Sequence, residues 1–253
     1  RNTSLSDYQN LKLSDIKEFY ANFYALSNCE LIISGKVEQS TITSLNTYFG
    51  KEDIGSSTPN ISLDFKPTKQ QKLFIEKDKA LQSAIRIGRK LPNKLHPDYF
   101  GLQILNTVFG GYFGSRLMKN IREDKGYTYG IGSGVASFLD GGYFFISTEV
   151  GSDVAKDALK EIYKEIELIR TQEISQEELQ LVKNYLLGKL LKSCDGPFNM
   201  AELFENVYFY GLDYEFYNNY IKTIKEITPK TLLALGVKYF NSSDLTEVVV
   251  GKF

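Results

Sequence analysis

Residues Leu105 to Tyr129 read Leu-Asn-Thr-Val-Phe-Gly-Gly-Tyr-Phe-Gly-Ser-Arg-Leu-Met-Lys-Asn-Ile-Arg-Glu-Asp-Lys-Gly-Tyr-Thr-Tyr. Ahead of the glycines, Phe100, Leu102, Ile104, Leu105, Val108 and Phe109 recur at helical spacing, and Pro97 can open that helix. Gly110, Gly111 and Gly114 then predict a turn running to Arg116. Leu117, Met118 and Ile121 predict a second helix, which Gly126 ends. Beyond it, strands are expected near Tyr127–Val135 and Gly142–Val150. The glycines permit positive φ and close approach of another chain, although a tight connection between two elements would need them equally. A phosphate loop is not supported, because neither G-x-x-x-x-G-K-[ST] nor G-x-G-x-x-G is present.

Arg122 and Tyr129 form a pair within this segment. Arg122 falls near the end of the predicted helix and Tyr129 on the adjoining strand, so both can point into one cleft. Guanidinium and phenol are hydrogen-bond donors able to polarise a carbonyl without a metal. A plain surface contact between the two is the alternative. Tyr127 is expected to share Tyr129's sheet face by strand alternation.

Outward from this segment, strands are expected at Lys72–Lys77, Ser83–Arg89 and Thr246–Val250. Val154, Ala158, Leu159, Ile162, Ile166 and Ile169 mark an amphipathic helix. Its charged run Lys160–Glu167 reads as a solvated face. Ser175 with Glu178 predicts a capping box for a helix carrying Leu179, Val182, Leu186 and Leu190. Asp195-Gly196-Pro197 breaks that helix, and an aromatic-rich helical stretch from Phe204 to Tyr220 reads as core and domain interface. Thr228-Pro229 caps a last helix to Phe240. Strands covered by helices without βαβ alternation give an α+β fold.

Composition narrows the function classes. Thirty basic and thirty-one acidic residues among 253 give a net charge of −1, which lacks the cationic surplus that nucleic-acid binding needs. No apolar run approaches a membrane span. Cys29 and Cys194 are far apart and could form one disulfide or stay as free buried thiols. A single histidine, His96, sits beside Pro97 as a capping or loop residue. It cannot supply the two or three imidazoles of a zinc hydrolase, and no Ser/His/Asp or Cys/His nucleophile is credible. No metal ligand set is assigned.

The ends of the chain resemble each other. Leu13-Ser14-Asp15, a helix to Tyr24 with Ser14 as its N-cap, and a buried strand Glu30–Ser34 before Gly35-Lys36 precede a second helix, Ser40–Tyr48, closed by Gly50. About 215 residues after the first, Ile227-Thr228-Pro229, a helix to Phe240 and Glu247–Val250 before Gly251-Lys252 follow the same plan. Helix then strand is a common order, but a true repeat makes residues 1–50 the closing part of one domain, 51–71 a linker and 72–253 a complete second domain. Arg1 in place of Met points to a processed or excised piece, which leaves the compartment open between bacterial periplasm and cytoplasm.

The Leu105–Tyr129 run resembles the second-domain signature of the insulinase/pitrilysin/mitochondrial processing peptidase family: a glycine-rich loop, Ser-Arg-Leu, Ile-Arg-Glu, then Gly and Tyr. Gln82, Ser175-Gln-Glu-Glu-Leu179 and the closing Val-Val-Val-Gly extend the likeness over nearly the whole chain. The resemblance implies a two-layer helix-on-sheet domain of the LuxS/processing-peptidase-like metallohydrolase type, preceded by the tail of a like domain. It implies that Arg122 and Tyr129 are the substrate-contacting pair of a zinc metalloendopeptidase. By the same resemblance, Gly110, Gly111, Gly114, Ser115 and Arg116 form the substrate-facing loop. The family's zinc sits on an inverted H-x-x-E-H helix, which this sequence lacks. Zinc then belongs to the full assembly, carried by a preceding region or by an H-x-x-E-H-bearing partner subunit, with a peptide as substrate. A non-catalytic peptide-binding or scaffold subunit is the alternative.

Overall fold

The computed structural model describes residues 3–24, 29–50 and 71–252. The chain forms two compact units, one of residues 1–64 with 196–205 and one of residues 65–195 with 206–253. The linker expected at 51–71 falls, apart from Gln71, outside the described residues.

The first unit contains α1 (Leu5–Asn10), α2 (Leu13–Phe23) and α3 (Gln39–Phe49). Helix α2 is amphipathic, yet Leu13, Ile16, Phe19 and Tyr20 along it are exposed. Ser14 does not cap this helix. Lys12 occupies the cap position and its N–H donates to the Asp15 carboxylate at 3.0 Å, because an acidic N3 residue satisfies an orphan donor and favours the helix's positive end. The strand expected at Glu30–Ser34 is not formed, and Leu31 and Ile33 are exposed. A strand needs a ladder partner, and the first unit has no strand among its described residues. Helix α3 ends at Gly50 as its sequence predicts. The end-to-end likeness survives in two places. Helix α2 and the chain's last helix each span 11 residues, and Gly35 and Gly251 share a left-handed φ of 127° and 145°.

The second unit is α+β, a five-stranded sheet with helices packed on one face. Its strands are β1 (Lys72–Glu76), β2 (Gln82–Leu91), β3 (Thr128–Phe138), β4 (Gly141–Gly151) and β5 (Thr246–Gly251), in the order β1-β5-β2-β4-β3. Only the β1–β5 pair is parallel. β3 is therefore an edge strand. Alternation decides which face is covered: Ile85, Ile87, Phe144, Ile146 and Val249 are buried, while Arg86, Tyr143 and Phe145 between them are open.

Against the buried side lie α4 (Tyr99–Asn106), α5 (Ala155–Thr171), α6 (Gln176–Ser193) and, beyond α7 (Pro197–Tyr208), α8 (Glu215–Glu226) and α9 (Pro229–Tyr239). Leu102, Leu105, Ile162, Ile166 and Leu232 join the sheet residues in one core. Each such side chain is worth about 1.5–3 kcal/mol on burial. Thr228 caps α9 by accepting from the Thr231 N–H. The aromatic stretch contributes to packing, with Phe216 and Tyr220 4.8 and 5.3 Å from the Phe100 ring.

Three local expectations are corrected in this unit. Helix α4 opens at Tyr99, not at Pro97, after a turn in which the Asp98 N–H donates to His96 Nδ1. The capping box at Ser175 is only half made: Ser175 accepts from the Glu178 N–H, but the Glu178 carboxylate is engaged by Arg116 instead. The Lys160–Glu167 run is not wholly solvated either, because Glu165 is 7% exposed and accepts from Asn120.

Candidate functional site

The segment from Asn106 to Gly130 contains two π-helical stretches, Thr107–Gly111 and Met118–Asp124, separated by a tight turn. A π-turn holds one residue more than an α-turn, and such insertions concentrate at functional sites. The first stretch is fastened to β3: Ser133 Oγ donates to Asn106 Oδ1 at 2.7 Å. Gly110 lies against this contact, where a Cβ would collide with Ser133 Oγ and the Leu117 side chain. Close packing, not positive φ, therefore requires glycine there, and likewise at Gly111 beside Asn106 and at Gly114 beside the Tyr112 ring.

The turn itself is pinned. Its N–H at Ser115 donates to the Tyr112 carbonyl, and the Ser115 side chain is 1% exposed. Arg116 then makes a two-pronged ion pair with Glu178 on α6, Nε to Oε1 at 2.8 Å and Nη2 to Oε2 at 2.7 Å. Those bonds raise the Arg116 pKa against the opposing effect of burial. One turn later Asn120 Nδ2 donates to Glu165 at 2.7 Å and to Glu161 at 3.1 Å, fastening the second π-stretch to α5. Burial raises the Glu165 carboxyl above its ordinary range, with Asn120 and Arg116 pulling the other way. The Asn120 bond lowers Glu161.

Arg122 sits on the opposite side of that stretch. Its Nε donates to the Tyr129 carbonyl oxygen at 2.9 Å. Its guanidinium carbon lies 4.7 Å from the centre of the Phe113 ring and 5.8 Å from that of Tyr129. Among the described residues no carboxylate pairs with it, and its two terminal nitrogens make no hydrogen bond. Gly126, with φ of 65°, turns the chain between the two residues.

Tyr129 stands on a β-bulge. Thr128 pairs with Val150 and Ile131 with Thr148, so Tyr129 and Gly130 together oppose the single residue Glu149. A bulge re-aims the side chain it carries, and Tyr129 is 93% exposed. Hydroxyls replace the interrupted ladder: Thr128 Oγ1 lies 2.6 Å from the Glu149 carbonyl, accepts from the Gly130 N–H, and is 3.0 Å from Thr148 Oγ1. Thr148 Oγ1 is also 3.0 Å from the Gly130 carbonyl. Tyr127 precedes β3, so strand alternation does not govern it and the expectation is corrected: its N–H donates to the Ile121 carbonyl and its side chain packs against the core.

Among the described residues the arrangement thus presents a guanidinium whose Nη groups make no hydrogen bond and an exposed phenol from one corner. Such a pair can donate to a carbonyl or carboxylate oxygen. Zinc does not fit the described residues: no group of three or more His, Cys, Asp or Glu side chains is gathered among them, and His96 Nδ1 is taken by the Asp98 N–H. Cys29 and Cys194 are free and exposed, which corrects the expectation of buried thiols. No helix among the described residues is long and apolar enough to cross a membrane.

Of the residues singled out in the sequence, Arg122 and Tyr129 come together. Gly110 and Ser115 are buried, Gly111 and Gly114 pack tightly, and Arg116 reaches Glu178. Not foreseen were Phe113 beneath the guanidinium, Glu178 and Asn120 as anchors, and Thr128 with Thr148 across the bulge. Of these, only Phe113 left a sequence signal, an aromatic residue between the loop glycines Gly111 and Gly114.

A family model described as the peptidase M16 inactive domain matches residues 10–186. The chain is 23% identical over 180 residues to the uncharacterized zinc protease YmxG of Bacillus subtilis, covering 71% of this chain and 43% of that protein. To the probable inactive metalloprotease YmfF of the same organism it is 23% identical over 205 residues, covering 79% and 47%. The chain thus spans less than half the length of either relative. Its fold matches the crystal structure of a peptidase M16 inactive domain from Pseudomonas fluorescens with a TM-score of 0.85 at 23% identity, covering 98% of this chain and 60% of that one. With the model matching well over half of its residues, this chain belongs to the peptidase M16 inactive-domain family.

Proposed function

We propose that this chain supplies the substrate-facing, non-metal half of a zinc metalloendopeptidase, in which Arg122 and Tyr129 grip the scissile carbonyl of a peptide. The observation that carries this reading is the state of Arg122. Its Nε is committed to the Tyr129 carbonyl and its plane is backed by Phe113, while its terminal nitrogens are left for a ligand. A cation held in place without a counter-charge is pre-organised to meet negative charge as it develops on an oxygen. Tyr129 adds a second donor seven residues on. Zinc and its activated water come from a region or partner bearing H-x-x-E-H, and this chain binds, orients and polarises. On this reading residues 72–253 form the complete substrate-binding domain, and residues 1–50 the end of a preceding like domain joined by 51–71.

The test is peptide turnover by the complete assembly that contains this chain. Arg122→Ala lowers kcat by about a hundred- to a thousandfold, the usual cost of one oxyanion-stabilising donor, and Tyr129→Phe lowers it less. Unchanged turnover in Arg122→Ala ends the assignment. The second reading, a non-catalytic peptide-binding or scaffold subunit, draws on the likeness to a probable inactive metalloprotease. It predicts peptide binding without turnover, and with no H-x-x-E-H-bearing partner recovered on co-purification.

A further inference from the structure

We infer that Phe113 determines specificity: its ring receives an aromatic or large aliphatic side chain of the peptide beside the scissile bond. The inference rests on the proposed role of Arg122 and deepens it. Phe113 is a large apolar side chain left 62% exposed, and slackness of its loop does not explain that exposure. On one side the turn is anchored by the buried Ser115 and by the two-pronged Arg116–Glu178 pair. Within it, the Tyr112 ring fills the space that a side chain at position 114 would need. The backbone therefore holds Phe113 outward.

Its surroundings say what it meets there. The guanidinium of Arg122 lies 4.7 Å from the ring centre, a cation–aromatic contact that engages one face. The remaining surface of the ring is open, and it lies on the same cation as the exposed Tyr129 ring. Two exposed aromatic rings around one cation without a carboxylate partner among the described residues make an apolar wall bearing a polar centre, the pattern of a ligand contact. A peptide whose carbonyl oxygen reaches the Arg122 terminal nitrogens passes within side-chain reach of Phe113. An apolar side chain there displaces water from the ring, whereas a small polar one gains nothing.

The test compares two matched peptides, one with phenylalanine and one with serine, placed in turn at each residue flanking the cleaved bond. Both are assayed with the complete assembly, and their equilibrium binding is measured by fluorescence anisotropy. In the native protein kcat/KM favours phenylalanine at one of these positions. Phe113→Ala reduces that preference about 10- to 100-fold, the range for one apolar pocket contact, by slowing the phenylalanine peptide far more than the serine peptide. Phe113→Leu restores most of the preference. An equal fall for both peptides would show that the ring only supports Arg122, and an unchanged ratio would show that it does not touch substrate. Either result overturns the inference. Arg122→Ala separates the two assignments, because it slows both peptides alike. If the assembly cleaves neither peptide, the catalytic reading of Arg122 fails on its own, and the binding ratio of Phe113→Ala to native protein decides the role of Phe113.

Discussion

Arg116 and Arg122 are six residues apart on the same short segment, and the chain treats them in opposite ways. Arg116 spends its fork on Glu178, is largely covered, and ties the glycine turn to α6. Arg122 commits only its Nε, and to a carbonyl oxygen, and among the described residues no carboxylate pairs with it. The first fixes where the loop lies. The second has charge to spare once the loop is fixed. Water can solvate the half-exposed Arg122 guanidinium, so its open terminal nitrogens cost little to keep, and the contrast with the paired Arg116 is what the proposed ligand contact rests on.

The sharpest way to break this contrast is to remove each arginine in turn and read both activity and stability. Arg122→Ala is expected to lower turnover of the complete assembly a hundred- to a thousandfold, with the urea unfolding midpoint moved less than by Arg116→Ala, since only one exposed hydrogen bond is lost. Arg116→Ala should do the reverse in emphasis. It strands the Glu178 carboxylate and costs about 2 kcal/mol of stability by urea titration, the scale of hydrogen bonds to charged groups, with activity falling only as far as the loop loosens. If both variants behaved alike, the distinction between anchor and donor would be lost.

A smaller effect tests the far side of the pair. Thr128→Val removes the hydroxyl that bridges the bulge and is expected to cost about 1 kcal/mol. Hydrogen exchange at the Gly130 amide, which donates to that hydroxyl, should quicken as Tyr129 loses its aim. The smallest effect concerns the second anchor. The Glu165 pKa is raised in the folded protein, chiefly by burial, so its stabilising contribution is complete below the ordinary carboxylate range and is lost as pH rises through the raised value. Glu165→Gln should therefore match the native protein in thermal unfolding near pH 4 and exceed it near pH 8. A variant that lost stability with rising pH relative to native would invert the assignment.

Much of the second unit was legible in its residues, because its helices and strands repeat apolar positions strongly enough to place the elements, if not their exact ends. Thr228-Pro229 and Thr246–Val250 describe a capped helix and a strand without reference to anything distant. Some failures are local, as where the His96–Asp98 turn delays α4 to Tyr99, but three share one cause, which is that distant partners decide them. Glu178 sits at the N3 position of a capping box, but Arg116, 62 residues away in sequence, holds its carboxylate. Glu165 lies in a run that reads as solvated until Asn120 comes over it. Glu30–Ser34 has the composition of a strand and, among the described residues of its unit, no strand to pair with. The seven-residue interval from Arg122 to Tyr129 was visible in the sequence. What sets its geometry, a π-turn at one end and a bulge at the other, has no compositional mark.

Those two irregularities make the interval a matter of counting. Each adds one residue to a regular element, and each turns the chain beyond it. In a helix every residue advances the side-chain direction by about 100°, and in a strand a shift of one residue exchanges the two faces. Losing a single residue between Met118 and Asp124, or between Thr128 and Ile131, would return the backbone to a more regular form and point Arg122 and Tyr129 away from each other. The segment can thus vary its side chains far more freely than its length, and its meaning is written in residue number as much as in residue type.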